Sequence, residues 1–168
     1  MAPSLIAGGR RFNRKTKTKF IWLPTIAAAD FTPTDAEITG GTDLTPEISA
    51  VAGWATSPSY SDVPGLNSFF VGKLLDSVTA TESSITFFAA DDGNDASTFF
   101  TGPQSDGTSQ DGFMMVCDYG LIAAKKARVY SASVASVSPE VSLSGPALIV
   151  VGFSIDREPK TITIPTLT

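Results

Sequence analysis

Few side chains in this sequence could do chemistry, and each carries its own obstacle. The one cysteine, Cys117, closes the apolar run Phe113-Met114-Met115-Val116-Cys117, where a thiol packs as a small hydrophobe and not as a nucleophile. Three acids gather in Asp91-Asp92-Gly93-Asn94-Asp95. Their spacing misses the calcium-loop pattern D-x-[DN]-x-[DN]-G, and carboxylates beside a glycine fit a solvated turn better than a glycosidase pair. Gly72-Lys73 is followed by Leu74 and lacks the preceding glycine of a phosphate-binding loop. Gly152-Phe153-Ser154-Ile155-Asp156 has no second glycine and so misses the nucleophile elbow G-x-S-x-G. Histidine is absent altogether, which removes Ser-His-Asp and Cys-His catalysis, histidine metal sites and the usual proton shuttle near neutral pH. The expectation is no enzyme, no catalytic or metal-binding residue and no cofactor.

The elements that would hold such residues are strands. With 168 residues, 42% of them hydrophobic, and only 17% charged, the chain suits one domain over 1–168 with its own core. Ser and Thr number 38, and 14 Gly with 11 Pro punctuate the sequence, a balance that favours strands and turns over helices. Thr18 to Leu23 reads as a first strand ended by Pro24. Pro24 to Pro46 reads as loop, with Ala36-Glu37-Ile38-Thr39 as an isolated strand. In Glu47 to Trp54 the residues Ile48, Ala50, Ala52 and Trp54 fall on one side of a strand, predicting a buried face. Ser57 to Gly65 is hydrophilic and proline-rich and predicts a prominent surface loop. Phe69 to Ala80 and Ser84 to Ala90 read as strands, the second with Ile85, Phe87 and Ala89 on one face.

The acidic turn then leads into Ala96-Ser97-Thr98-Phe99-Phe100. Asn94 or Asp95 would cap what is predicted as the single short helix. Phe113 to Asp118, Arg128 to Val137, Ala147 to Ile155 and Thr161 to Pro165 complete seven to nine strands. The last two bracket a charged turn and predict a C-terminal hairpin. The fold class is mainly β, a β-sandwich or partly closed barrel with one short helix and long loops. The lone cysteine excludes an internal disulfide and fits a cytoplasmic history. No signal-peptide pattern opens the chain, and the longest uncharged run, Val141 to Ile155, is too short to cross a bilayer.

Charge is unevenly placed. Arg10, Arg11, Arg14, Lys15, Lys17 and Lys19 are half of the 12 basic residues, while the first 29 residues hold no acid. Beyond residue 19 there are six basic against 17 acidic residues, a net of −11. A basic arm (1–19) joined to an acidic body can bind the body of an identical neighbour. A solvated terminus and a nucleic-acid arm are the other readings, the last with only Phe12 and Phe20 to stack on bases.

The order of these segments carries a resemblance. Ile85 to Asp92, a short helix and Gly112 to Gly120 resemble the "strand, acidic turn, helix, glycine, hydrophobic strand" block of the major tail proteins of long-tailed bacteriophages. Ala127 to Val134, Ala147 to Phe153 and Thr161 to Pro165 are similar to that family's final three strands, and Glu37 to Leu44 with Ile48 to Trp54 to its early pair. The resemblance implies a structural virion protein whose copies form rings, commonly of six, that stack into the tube through which DNA passes. Its partners would be itself, a tape measure and a terminator, with only transient, non-specific contact with DNA and no membrane insertion; it would assemble in the host cytoplasm. By the same resemblance the loop 55–70, with Ser57, Pro58, Tyr60 and Asp62, would reach toward a neighbouring ring, and the basic arm would cross onto an adjacent subunit. Other tail components, such as a terminator or a contractile inner tube, and a non-catalytic β-sandwich binding module remain the alternatives.

Overall fold

The computed structural model describes residues 17–64, 69, 71–103, 105, 107–140 and 144–167, and its longest strand organises the rest. That strand, β8 (Lys126–Glu140), pairs along one edge with β7 (Asp111–Cys117). Its other edge is long enough to seat two strands in succession. There β10 (Lys160–Thr163) pairs with Lys126 to Val129, and β9 (Leu148–Ile155) pairs with Ala132 to Glu140. The expected hairpin between the last two strands therefore does not form, because each finds its partner on β8.

Outward from β7 lie β1 (Lys19–Leu23) and the two-residue β2 (Thr42–Asp43); outward from β9 lie β6 (Ser83–Phe88) and β3 (Ile48–Ala52). All pairings are antiparallel. Among the described residues a second sheet consists of β4 (Thr56–Pro64) and β5 (Val71–Ala80). The molecule is mainly β, as the sequence predicts, with ten strands among the described residues.

The large sheet curls. Trp22 on β1 and Phe153 on β9 are separated by β7 and β8, which in a flat sheet would put their backbones about 14 Å apart. Their rings nevertheless lie 5.9 Å apart. Trp22 also meets Phe100 edge-on at 5.4 Å, and Trp54 meets Tyr130 and Phe153 at 5.3 Å each. This concave side forms the larger core, with Ile85, Phe87, Met114 and Val151. Gly112 lets the Trp22 ring approach, since a Cβ there would sit 2.3 Å from it.

The convex side of β1, β7 and the start of β8 is covered as well. Ile21, Leu23, Met115, Cys117 and Val129 pack there with Ile38, Ile162 and Ile164. Burial on both faces explains why Phe113 to Cys117 reads as an unbroken apolar run, whereas β6, with one covered face, alternates as expected.

Ala36 to Thr39 is not a strand: it lies in α1 (Asp35–Thr39), which seats Ile38 in the convex core. Thr34 caps it, accepting from the Glu37 N–H, while the Glu37 carboxylate accepts from the Thr34 N–H at 2.7 Å. This reciprocal pair is a capping box. The helix expected after the acidic turn is α2 (Ala96–Phe99), capped by Asp95, whose side chain accepts from Ser97 N. Among the described residues there are thus two short helices, not one, and a 3-10 turn at Thr45–Glu47.

Four surface carboxyls sit below their ordinary range; Asp43 is one, where partial burial pushes up but the Lys19 ammonium and Thr45 pull further down. Asp30 is held at about 2 by the Lys160 ammonium and Thr32; Glu37 is lowered by the Thr34 and Ala27 N–H groups, and Asp95 by Ser97. A carboxyl lowered on folding stabilises the native state above its unfolded value and loses that contribution as pH falls through the folded one. The melting temperature is expected to hold above about pH 4 and to fall between about pH 4 and 2. A pH series of thermal melts checks this; Asp30→Asn should flatten the fall.

Candidate assembly surfaces

Within the described residues nothing gathers into a reaction centre. No cluster of three or more His, Cys, Asp or Glu side chains is placed to hold a metal there, and no helix among them is long and apolar enough to cross a membrane. Cys117 is fully buried, and burial, with the Asp118 and Asp43 charges, pushes its thiol up to about 12. It is a packing residue, as its neighbours in the sequence predict.

What stands out is unsatisfied surface. Ser57 to Pro64 is not the expected strand-breaking loop but most of β4, which pairs with β5 over nine residue pairs. Pro58 and Pro64 are tolerated because both strands of a two-stranded hairpin are edges. A bulge at Asp76 sets the register so that Pro58 faces Val78 and Tyr60 faces Leu75.

Pro58, Tyr60, Val71, Leu75 and Val78 consequently share one face. Tyr60 is 57% exposed and Leu75 59%. Asp62 lies on that face too, 3.6 Å from Lys73 in a pair exposed enough to contribute little. The opposite face begins with hydroxyls: Ser57, Ser59, Ser61, Ser77 and Thr79, with Ser59 and Ser77 Oγ atoms 2.8 Å apart. Val63 and Leu74 follow toward the tip.

An isolated hairpin is marginal in water, and fully burying each large apolar side chain is worth about 1.5–3 kcal/mol. Exposed apolar side chains at this density are the mark of an interaction surface.

The second open feature is β3. It lies at the end of the large sheet and has no further strand beside it among the described residues. Its expected buried face is overturned in the middle: Ala50 and Ala52 are exposed, while Ile48 is partly buried and Trp54, beyond the strand's end, is buried in the larger core. The cause is a bulge between Ile48 and Ala50, which shifts the parity. Ile48 and Val51 then lie opposite the core residues Phe87 and Ile85, and Ala50 and Ala52 lie opposite Thr86 and Ser84.

Below β3 lies a recess of about 580 Å³, lined among others by Phe20, Ile48, Trp54, Asp118 and Arg128. Its floor is tied down. Arg128 holds both Asp118 carboxylate oxygens at 3.1 Å and donates to the Tyr130 hydroxyl, which in turn donates to the Trp54 carbonyl at 2.5 Å.

Of the basic residues expected in an arm, Arg10, Arg11, Arg14 and Lys15 lie outside the described residues. Lys17 stands in the turn before β1. Lys19 is already in the sheet, its ammonium 2.7 Å from Asp43, so the arm, as drawn to residue 19, overlaps the first strand. Among the described residues, Lys17 and Lys19 lie at the start of β1, while Ser57, Pro58, Tyr60 and Asp62 lie on the hairpin.

A family model described as phage tail tube protein matches residues 8–165. The chain belongs to the phage tail tube protein family. Two solved structures share its fold. One is the cryo-EM structure of the anti-feeding prophage (AFP) baseplate, 6-fold symmetrised, at TM-score 0.54 and 10% identity, covering 98% of this chain and 100% of that one. The other is the hybrid structure of the SPP1 tail tube by solid-state NMR and cryo-EM, at TM-score 0.55 and 12% identity, covering 90% of this chain and 79% of that one. No curated protein matches at a significant level. This tail tube protein is thus a structural component of the virion tail and not an enzyme, and its principal partner is itself. The exposed apolar hairpin fits a subunit that is completed by other copies.

Proposed function

We propose that this tail tube protein closes into rings of six whose sheets join edge to edge, and that the rings stack into the conduit for the genome. The observation that carries this reading is the β4–β5 hairpin, a long two-stranded ribbon whose apolar face stands largely exposed among the described residues. The six-fold symmetry stated for the AFP baseplate supports the ring number. The bare edge of β3 is a hazard in a monomer and a joint in a ring.

In this reading the hairpin, with Ser57, Pro58, Tyr60 and Asp62, lies against a neighbouring ring. The basic segment with Arg10, Arg11, Arg14, Lys15 and Lys17 crosses onto an adjacent subunit, drawn by its acidic body. Acids facing the bore would repel DNA phosphates and limit sticking. A tape measure inside the tube and a terminator at its end are the further partners, and assembly takes place in the host cytoplasm.

Negative-stain microscopy of the purified chain tests the reading. Hollow tubes are expected from the wild type, and reversing Arg10, Arg11, Arg14 and Lys15 to Glu should shorten or abolish them. Tubes of normal length from the reversed chain would remove the arm from the interface; a wild type that stays monomeric would remove polymerisation itself.

A further inference from the structure

The two ends of the large sheet differ in sign. At one end β7 hands over to β8 through residues 118–125, next to the start of β1: Thr18 donates to the Asp118 carbonyl, and a Cβ on Gly120 would lie 3.4 Å from the Lys17 carbonyl. Lys17, Lys125 and Lys126 are exposed there and form no ion pair among the described residues. Two further pairs at this end, Arg128 with Asp118 and Lys19 with Asp43, bring opposite charges together. Between the lysines the turn exposes Tyr119, Leu121 and Ile122 at 49%, 36% and 51%.

At the opposite end Phe88, Leu148 and Glu140 stand in one row across β6, β9 and β8. The acidic turn Asp91 to Asp95 follows directly from β6. No Lys or Arg occurs between positions 74 and 124 or between 129 and 156, so no cation within those two stretches offsets Asp91, Asp92 and Glu140. This end also exposes aromatic surface, Phe88 at 41% and Phe99 at 38%.

We propose that the lysine-bearing end of one copy docks on the acidic end of the next, with Tyr119, Leu121 and Ile122 against Phe88 and Phe99 inside a ring of opposite charges. Each end presents an apolar centre and a charged rim, the anatomy of a protein interface. Their signs are opposite, so like ends repel and unlike ends attract. Contact between two different patches of the same chain is heterologous and, where its rotation does not close a ring, propagates as an open polymer, as a polar tube requires. The inference rests on the proposed polymerisation and adds its direction and chemistry.

A pair of charge-reversed chains tests it. Lys125→Glu with Lys126→Glu makes both ends acidic, and Asp91→Lys with Glu140→Lys makes both ends basic; all four residues are exposed. Thermal melts should match the wild type. Each variant alone is expected to raise the critical concentration for assembly roughly tenfold or more, while an equimolar mixture should regain tubes by strict alternation. A chain carrying all four changes should polymerise with itself. If the wild type forms tubes and each variant does so equally well, or if the mixture stays unassembled, the end-to-end contact is wrong although polymerisation stands. If the wild type itself forms no tubes, it is the underlying reading that fails.

Discussion

Tyr60→Asp combined with Leu75→Asp is expected to abolish tube formation while leaving the large sheet folded. The two side chains face each other across β4 and β5 at the middle of the apolar face, and each is more than half exposed in one copy. Their replacement therefore removes nothing from either core. In an assembled tube the same positions lose about 1.5–3 kcal/mol of burial each, and two carboxylates then have to be desolvated. A mutated surface repeated in every subunit multiplies that cost along the polymer. Sedimentation of assembled material, with a thermal melt of the soluble fraction, separates the two effects. Normal pelleting would show that the face lies outside the contact.

Gly53→Ala is expected to act on the fold itself. Gly53 stands at φ +75, followed by Trp54 at φ 58, where β3 ends and the chain turns toward the hairpin. A Cβ there would lie 2.1 Å from the Glu82 carbonyl oxygen and 2.8 Å from the Ser83 Cα. Both are backbone atoms, so no side chain can rotate away. The turn also places Trp54, which meets Tyr130 and Phe153, receives the Tyr130 hydroxyl on its carbonyl and donates its N–H to Ser83. Left-handed backbone plus overlap with fixed atoms should cost on the order of 3 kcal/mol or more. Urea unfolding reads this directly, and a midpoint within error of wild type would contradict the role assigned to the turn.

Legibility of the sequence followed the physics of each element. β6 and Asp95 were readable because a period of two and a capping acid are local signals. The side of β3 was not, since one bulged residue exchanges its faces and nothing in Ile48 to Ala52 announces it. β4 hid behind Pro58 and Pro64, which argue against a strand in the middle of a sheet but not in a free-standing ribbon. α1 did leave a signal, the Thr34 to Glu37 spacing of a capping box, obscured by the proline-rich text around it. The pairing of β9 and β10 with β8 instead of each other depends on the 15-residue length of β8, a tertiary property that the charged turn between them does not encode.

The site was legible only in part. Segment order carried the family resemblance, and the charge imbalance pointed to self-association. The apolar face of the hairpin was not visible, because Ser57 to Gly65 looks hydrophilic until Tyr60 and Pro58 are paired with Leu75 and Val78. Interfaces of this kind emerge from register, which composition does not reveal.

Hydrogen–deuterium exchange across residues 56–80, compared between unassembled chain and tubes, addresses the central claim most directly. A hairpin completed by neighbouring copies should exchange quickly in the monomer and become strongly protected in the tube. Equal exchange in both states, alongside protection gained elsewhere, would contradict it.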